Sequence, residues 1–268
     1  MPLKAVDESV LVLQLTDSHL FAGADGRLLG LDTADSLARV IDLALEEHAE
    51  VDLVLASGDL SQDGSVDSYR RFRELTARIP APARWYPGNH DDLEAMRAVT
   101  RGTDLMEPVL DIGNWRIVML DTLVPGSVAG RLRDDQLELL ERALGEAPGR
   151  HQLVSFHHHP VPIGSDWMNR IGLLNPEALF EVIDRHPGVR LVLWGHIHQA
   201  FDQMRNGVRL LASPSTGIQF APGSQDFQID TRAPGYRWLR LHADGRLETG
   251  VSRVEGLTFE LEDGVKGY

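Results

Sequence analysis

Short apolar runs alternate with helical patterns over the first third of the chain. Val10 to Leu15 is an unbroken apolar stretch apart from Gln14, the pattern of a strand buried on both faces. From Thr33 to His48, Leu37, Val40, Ile41, Ala44 and Leu45 recur at helical spacing and predict an amphipathic helix. Asp52 to Ser57 reads as a second strand. Ser65 to Ile79 reads as a second helix with Tyr69, Phe72 and Leu75 on its inner face, and Ala83 to Tyr86 as a third strand.

Later the pattern turns to hairpins. Val109 to Ile112 and Trp115 to Leu120 flank Gly113-Asn114. Asn206-Gly207 is a strong two-residue hairpin signal, and Tyr236 to Leu241 and Leu247 to Val254 flank Ala243-Asp244-Gly245. Strands over Gln152 to Phe156 and Leu191 to Trp194 lie between, with helices near Asp134 to Leu144 and Pro176 to Arg185. This order predicts an α/β layered sandwich, two mixed sheets face to face with helices outside. We expect one domain over residues 1–268, with C-terminal hairpins at about 205–256 completing the second sheet.

Composition changes this picture little: 268 residues, 43% hydrophobic and 25% charged, suit a soluble globular protein. The absence of cysteine excludes disulfides, thiolate metal sites and a Cys nucleophile. The net charge of −14 opposes nucleic-acid partners, whose phosphates need Lys and Arg, and disfavours anionic membranes. No stretch nears the roughly 20 apolar residues of a membrane span, and no signal-peptide pattern opens the chain, so a cytoplasmic protein is expected. An anionic substrate would need strong local positive charge, which bound cations supply.

The candidate chemistry lies where each apolar strand stops. Five predicted strands end in Asp17-Ser18-His19, Gly58-Asp59, Gly88-Asn89-His90-Asp91, His157-His158-His159 and Gly195-His196-Ile197-His198. Seven of the 11 histidines fall in these motifs; His48, His151, His186 and His242 do not. Carboxyl ends of strands are where α/β sheets bind ligands, and carboxylate oxygen with imidazole nitrogen suits Zn, Mn and Fe. Two ions need a bridge, for which Asp59 is the natural candidate. Each motif alone is weak, the commoner alternatives being a turn, a helix cap or a solvated loop. All five in one order, each closing a strand, are not readily met by accident.

The ordered set resembles the calcineurin-like metallophosphoesterase superfamily from Asp17 to His198. Gly58 to Gly64, His157-His158-His159-Pro160 with Pro162, Gly164 and Trp167, and Leu193 to Gln199 look like the bacterial class III cyclic nucleotide phosphodiesterases. The tail is similar as well: Ser213-Pro214-Ser215-Thr216 with Gln219-Phe220, Pro234 to Arg237, Gly245 and Thr249-Gly250-Val251. The resemblance implies a four-layer αββα sandwich with two metal ions, Mn, Fe, Zn or similar with Fe and Mn favoured. One would be held by Asp17, His19, Asp59 and His198, the other by Asp59, Asn89, His157 and His196. Within the triplet His157, nearest the strand, aligns with the family ligand, which leaves His158 against the substrate or behind the ligands; His159 stands where the commoner pattern has proline, a departure that leaves the alignment open by one residue.

The implied reaction is hydrolysis of 3′,5′-cyclic AMP to 5′-AMP by a metal-bridging hydroxide. His90 would be the general acid or an electrostatic stabiliser, oriented by Asp63 or Asp91. His19, Asp59, Asn89, His90, His158 and His198 are the expected substrate contacts, with Thr216 and Gln219 further candidates for the base. Alternatives are another phosphodiesterase of the same fold, acting on a glycerophosphodiester or nucleotide sugar, or a non-catalytic scaffold, against which every ligand position is filled. The partner is a small cyclic nucleotide, with neither nucleic acid nor membrane; the oligomeric state stays open, a homodimer being one option.

Overall fold

The computed structural model describes residues 4–257. In chain order the elements are β1 (Val10–Leu15), β2 (Arg27–Leu28), β3 (Leu31–Asp32), α1 (Thr33–Glu47), β4 (Leu53–Ser57), α2 (Val66–Thr76), β5 (Ala83–Tyr86), α3 (Leu93–Thr100), β6 (Val109–Ile112), β7 (Trp115–Met119) and α4 (Asp134–Gly145). Then come β8 (His151–Ser155), α5 (Asp166–Asn169), α6 (Pro176–Ile183), β9 (Val189–Trp194), β10 (Phe201–Arg205), β11 (Val208–Ala212), β12 (Gln219–Phe220), β13 (Ile229–Asp230), β14 (Gly235–Leu241) and β15 (Leu247–Arg253).

Two mixed sheets carry the architecture, in the orders β15-β14-β1-β4-β5 and β10-β11-β9-β8-β7-β6. β1, β4 and β5 run parallel, as do β7, β8, β9 and β11, so their carboxyl ends lie on one rim. Three apolar clusters define four layers. Val10, Val12, Leu53, Leu55, Trp115 and Leu193 belong to the cluster between the sheets. α1, α2 and α3 cover the outer face of the first sheet through Leu37, Val40, Phe72 and Met96. α4 and α6 cover the second through Leu140, Leu144, Leu179 and Ile183.

Local signals set the boundaries. Asp32, Ser65 and Asp92 cap α1, α2 and α3 by accepting from a backbone N–H three residues on. At Asn206-Gly207 both residues have positive φ and Arg205 pairs with Val208, the two-residue turn that this dipeptide favours. α3 is an element that periodicity missed, because only Met96, Val99 and Thr100 of its eight residues are buried.

One expectation is corrected. β10 and β11 do complete the second sheet, but the β14–β15 hairpin joins the first, with β14 antiparallel to β1 from Val10↔Leu241 to Gln14↔Arg237. All six residues of β1 are buried, so it is a central strand and needs a partner on each side. β4 supplies one and β14 the other.

Candidate metal centre

The strand-end motifs converge on that rim. After β1 the ladder with the next segment continues irregularly: the Asp17 N–H donates to the Gly58 carbonyl (3.0 Å) and that of His19 to Asp59 (2.9 Å). Seven non-glycine residues among those described have positive φ, and five are Asp17, His19, Asp59, His196 and His198. Left-handed backbone is costly for such residues, about 1–3 kcal/mol each, and persists where the surroundings enforce it. Here it turns side chains from several strand ends toward one point. A Cβ on Gly88 would strike the Asp59 carboxylate, and one on Gly195 the side chains of Thr16 and Asp17, so these glycines are required for space rather than for a left-handed turn.

The candidate ligand atoms form overlapping groups. Those of Asp17, His19 and His198, of His19, Asp59 and His90, and of Asp59, His157 and His196 each lie within 4.8 Å of one another. Asp59 Oδ2 lies 3.2 Å from His157 Nε2 and 3.9 Å from His19 Nε2, whereas Asp17 Oδ1 lies 3.3 Å from His198 Nε2. Asp59 therefore stands between two sets of nitrogens. His19, His157, His196 and His198 are buried, while Asn89 and His90 are half-buried.

Each of the four buried imidazoles has one nitrogen paired away from the centre. His19 Nδ1 pairs with Gln62 Oε1 (2.8 Å), His157 Nδ1 with the Ser57 carbonyl (2.8 Å), His198 Nδ1 with that of Ile218 (2.7 Å) and His196 Nε2 with that of Ile171 (3.0 Å). Such partners fix the tautomer and direct the other nitrogen inward, the usual support of a metal-bound histidine. Two candidate donor atoms, His157 Nε2 and Asn89 Oδ1, are buried without a hydrogen-bond partner, His157 Nε2 lying 3.2 Å from Asp59 Oδ2. Buried polar atoms are rarely left so. This donor set fits borderline divalent cations.

The electrostatics divide the histidines. Burial pushes His19 down to about 3 and His196 well below its usual range, so both are neutral, as ligation requires. Burial also lowers His157, but Asp59 and Asp17 outweigh it and lift the group to about 9. For Asp59, burial raises the carboxyl and His157, His90 and His19 more than offset this, holding it well below the carboxylate range.

A model of the calcineurin-like phosphoesterases matches residues 10–200, which span every strand-end motif. The chain belongs to that family. A 3′,5′-cyclic adenosine monophosphate phosphodiesterase of Pseudomonas aeruginosa is 60% identical over 98% of this chain and 97% of its own length. The Escherichia coli K12 protein of the same name is 43% identical over the whole chain and 98% of its own. Among solved structures, a dimetal phosphatase from Danio rerio is 18% identical and covers 92% of this chain and 99% of its own, with a TM-score of 0.62. It shares the fold.

In this phosphoesterase the structure gathers Asp17, His19, Asp59, His90, His157, His196 and His198 at one point. It corrects His158 as a substrate contact: the residue is fully buried, its Nδ1 pairs with Thr122 Oγ1 (2.7 Å) and its Nε2 with the Val128 carbonyl (3.1 Å). In the triplet, His157 is the residue that turns to Asp59. Thr216 and Gln219 are likewise buried and bonded to backbone carbonyls, Thr216 to that of Thr16 and Gln219 to those of Ser215 and Gly217, so their polar groups serve the loop after β11. Asp91 accepts from the N–H groups of Leu60, Ser61 and Gly88 and from Tyr69 Oη, which fixes the loop carrying Asn89 and His90. Asp63 accepts from Ala22 N and Ser65 N, a loop tie of the same kind. Gln62 and the Ser57, Ile171 and Ile218 carbonyls escaped the sequence reading; only Gln62, three residues past Asp59, had a side chain to betray it.

Proposed function

We propose that this phosphoesterase hydrolyses 3′,5′-cyclic AMP to 5′-AMP, using two metal ions shared across Asp59. The observation that carries the reading is the near-full-length identity of 60% to a relative named for that reaction, on a chain whose strand ends supply a complete donor set. In this reading Asp17, His19, Asp59 and His198 hold one ion, and Asp59, Asn89, His157 and His196 the other. Fe and Mn are the favoured occupants of this Asp/Asn/His set. When bound, the ions would supply Lewis acidity and acidify a water toward neutral pH.

The protein's own part is positioning and one proton. The half-buried Asn89 and His90 sit where the rim opens, so a phosphate resting against His19, Asp59, Asn89 and His198 would meet the His90 ring. The His90 backbone N–H donates to Asp59 Oδ1 (2.8 Å), which ties the proton donor to the carboxylate that would serve both ions. As a water oxygen bonds to phosphorus and the P–O3′ bond breaks, His90 donates its proton to the departing ribose oxygen, which is too basic to leave unaided. The four outward-paired imidazoles stay in one tautomer throughout and keep the donor set fixed. No helix among the described residues is long and apolar enough to cross a membrane. We assign the protein to the cytoplasm, acting on a free nucleotide. The test is a substrate panel on one metal-loaded preparation: 3′,5′-cyclic AMP, cyclic GMP, 2′,3′-cyclic AMP, a glycerophosphodiester and bis(p-nitrophenyl) phosphate. Cyclic AMP should be cleaved with the highest kcat/KM; preference for the glycerophosphodiester would replace this reading with another of the same fold.

A further inference from the structure

The core between the sheets changes character along the strands. Away from the rim Val10, Val12, Leu53, Leu55, Leu191 and Leu241 belong to one apolar cluster, Leu241 being the residue of antiparallel β14 that pairs with Val10. Toward the rim Gln14, Ser57, Ser155 and Ser213 follow, all fully buried. Gln14 continues the alternation of Val10 and Val12, so the pleat delivers its amide into the gap between the sheets.

That amide makes three connections. Its Nε2 donates to Ser57 Oγ (2.7 Å) on β4 and to the Trp194 carbonyl (3.1 Å) on β9 of the opposite sheet. Its Oε1 accepts from Ser213 Oγ, just past β11. Each partner adjoins a ligand. Ser57 precedes Gly58-Asp59, and its carbonyl orients His157. Trp194 precedes Gly195-His196. Ser213 lies two residues before Ser215, whose Oγ donates to the Asp17 carbonyl (2.7 Å).

We propose that Gln14 is a positioning residue that sets the spacing between the two halves of the metal centre, one half on each sheet. The inference rests on the metal reading alone and not on the identity of the substrate. An amide suits the position because it offers two donors and an acceptor without charge. A carboxylate would accept from both serines but has no proton for the Trp194 carbonyl. A hydrocarbon of the same length would remove all three hydrogen bonds from buried polar groups.

The experiment is Mn²⁺ titration of metal-stripped wild-type, Gln14→Met, Gln14→Glu and Gln152→Met proteins, read by EPR for free Mn²⁺ and for the spin-coupled pair. Gln152 is the control: a buried amide at the far end of β8 that donates to the Leu144 and Ala147 carbonyls. Gln14→Met should bind at least one ion about 10–100-fold more weakly, the usual size for lost support behind a ligand, and its spin-coupled spectrum should change. Gln14→Glu should weaken the same ion by less, and it remains the test if Gln14→Met does not fold. Gln152→Met should keep wild-type affinities even where its melting temperature falls. Wild-type affinities and spectrum in the Gln14 variants would overturn the inference. So would an equal loss in Gln152→Met, which would mark a general effect of stability. Wild-type protein that binds no Mn²⁺ would overturn the metal reading beneath it.

Discussion

The two ends of the same parallel strands follow opposite rules. At the amino ends the space between the sheets is filled by Val10, Leu53, Trp115 and Leu191, with Leu241 of antiparallel β14 paired to Val10. At the carboxyl ends the same gap holds Gln14, Ser57, Ser155 and Ser213, and above them sit buried carboxylates, buried imidazoles and left-handed backbone. Burial of apolar surface stabilises one end by roughly 25 cal/mol per Å². The other end carries strained backbone and desolvated ionisable groups, which cost stability. A protein that concentrates its strain on one rim is holding those side chains for chemistry, and the apolar end is what tolerates the expense.

Substitutions at each end should therefore fail differently. Asp59→Ala has the largest expected effect: hydrolysis lost altogether and at least one of two ions lost by elemental analysis, with the fold intact by circular dichroism, since Asp59 is the carboxylate that stands between the two sets of nitrogens. His90→Ala should lower kcat for cyclic AMP by about 10²–10⁴-fold, the usual weight of a proton transfer, with both ions retained. The loss should be much smaller on bis(p-nitrophenyl) phosphate, whose leaving group departs without a proton. An equal loss on both substrates would reassign His90 to charge stabilisation.

At the opposite end the balance reverses. Trp115 is fully buried and donates from Nε1 to the His242 carbonyl (2.8 Å). Trp115→Ala should cost about 3–5 kcal/mol in chemical denaturation while kcat per folded molecule stays near wild type. A selective loss of metal in that variant would erase the contrast between the ends. The smallest effect belongs to the exposed Arg39–Asp35 pair on α1, at 2.7 Å. Arg39→Ala should change stability by no more than about 0.5 kcal/mol and leave hydrolysis untouched.

How much was legible follows the same divide. Ligand candidates could be read because a polar residue that stops an apolar run stands out, as Asp17 does after Leu15 and Asp59 after Ser57. The layered sandwich could be read because the longer strands and most helices obey their own period, whereas the two-residue strands β2, β3, β12 and β13 are too short to show one. What stayed hidden depends on distant pairing or on the backbone. The β14–β15 hairpin has the same local pattern whichever sheet it joins, and only the two-sided burial of β1 settles the matter. His158 carries the same side chain as its neighbours, and its partners Thr122 and Val128 come from another loop. The carbonyls of Ser57, Ile171 and Ile218 could belong to any residue. Gln14 looks like an interruption in an apolar run until the opposite sheet is placed against it.

The central claim is that the rim is a dinuclear centre working on a cyclic phosphodiester. It is tested most directly by elemental analysis and cyclic AMP hydrolysis on one purified wild-type sample, before and after chelation. We expect two ions per chain, 5′-AMP as product, and loss of activity on chelation with recovery when Mn²⁺ is restored. A fully active sample with one ion per chain, or a sample with two ions that leaves cyclic AMP intact, would contradict the account.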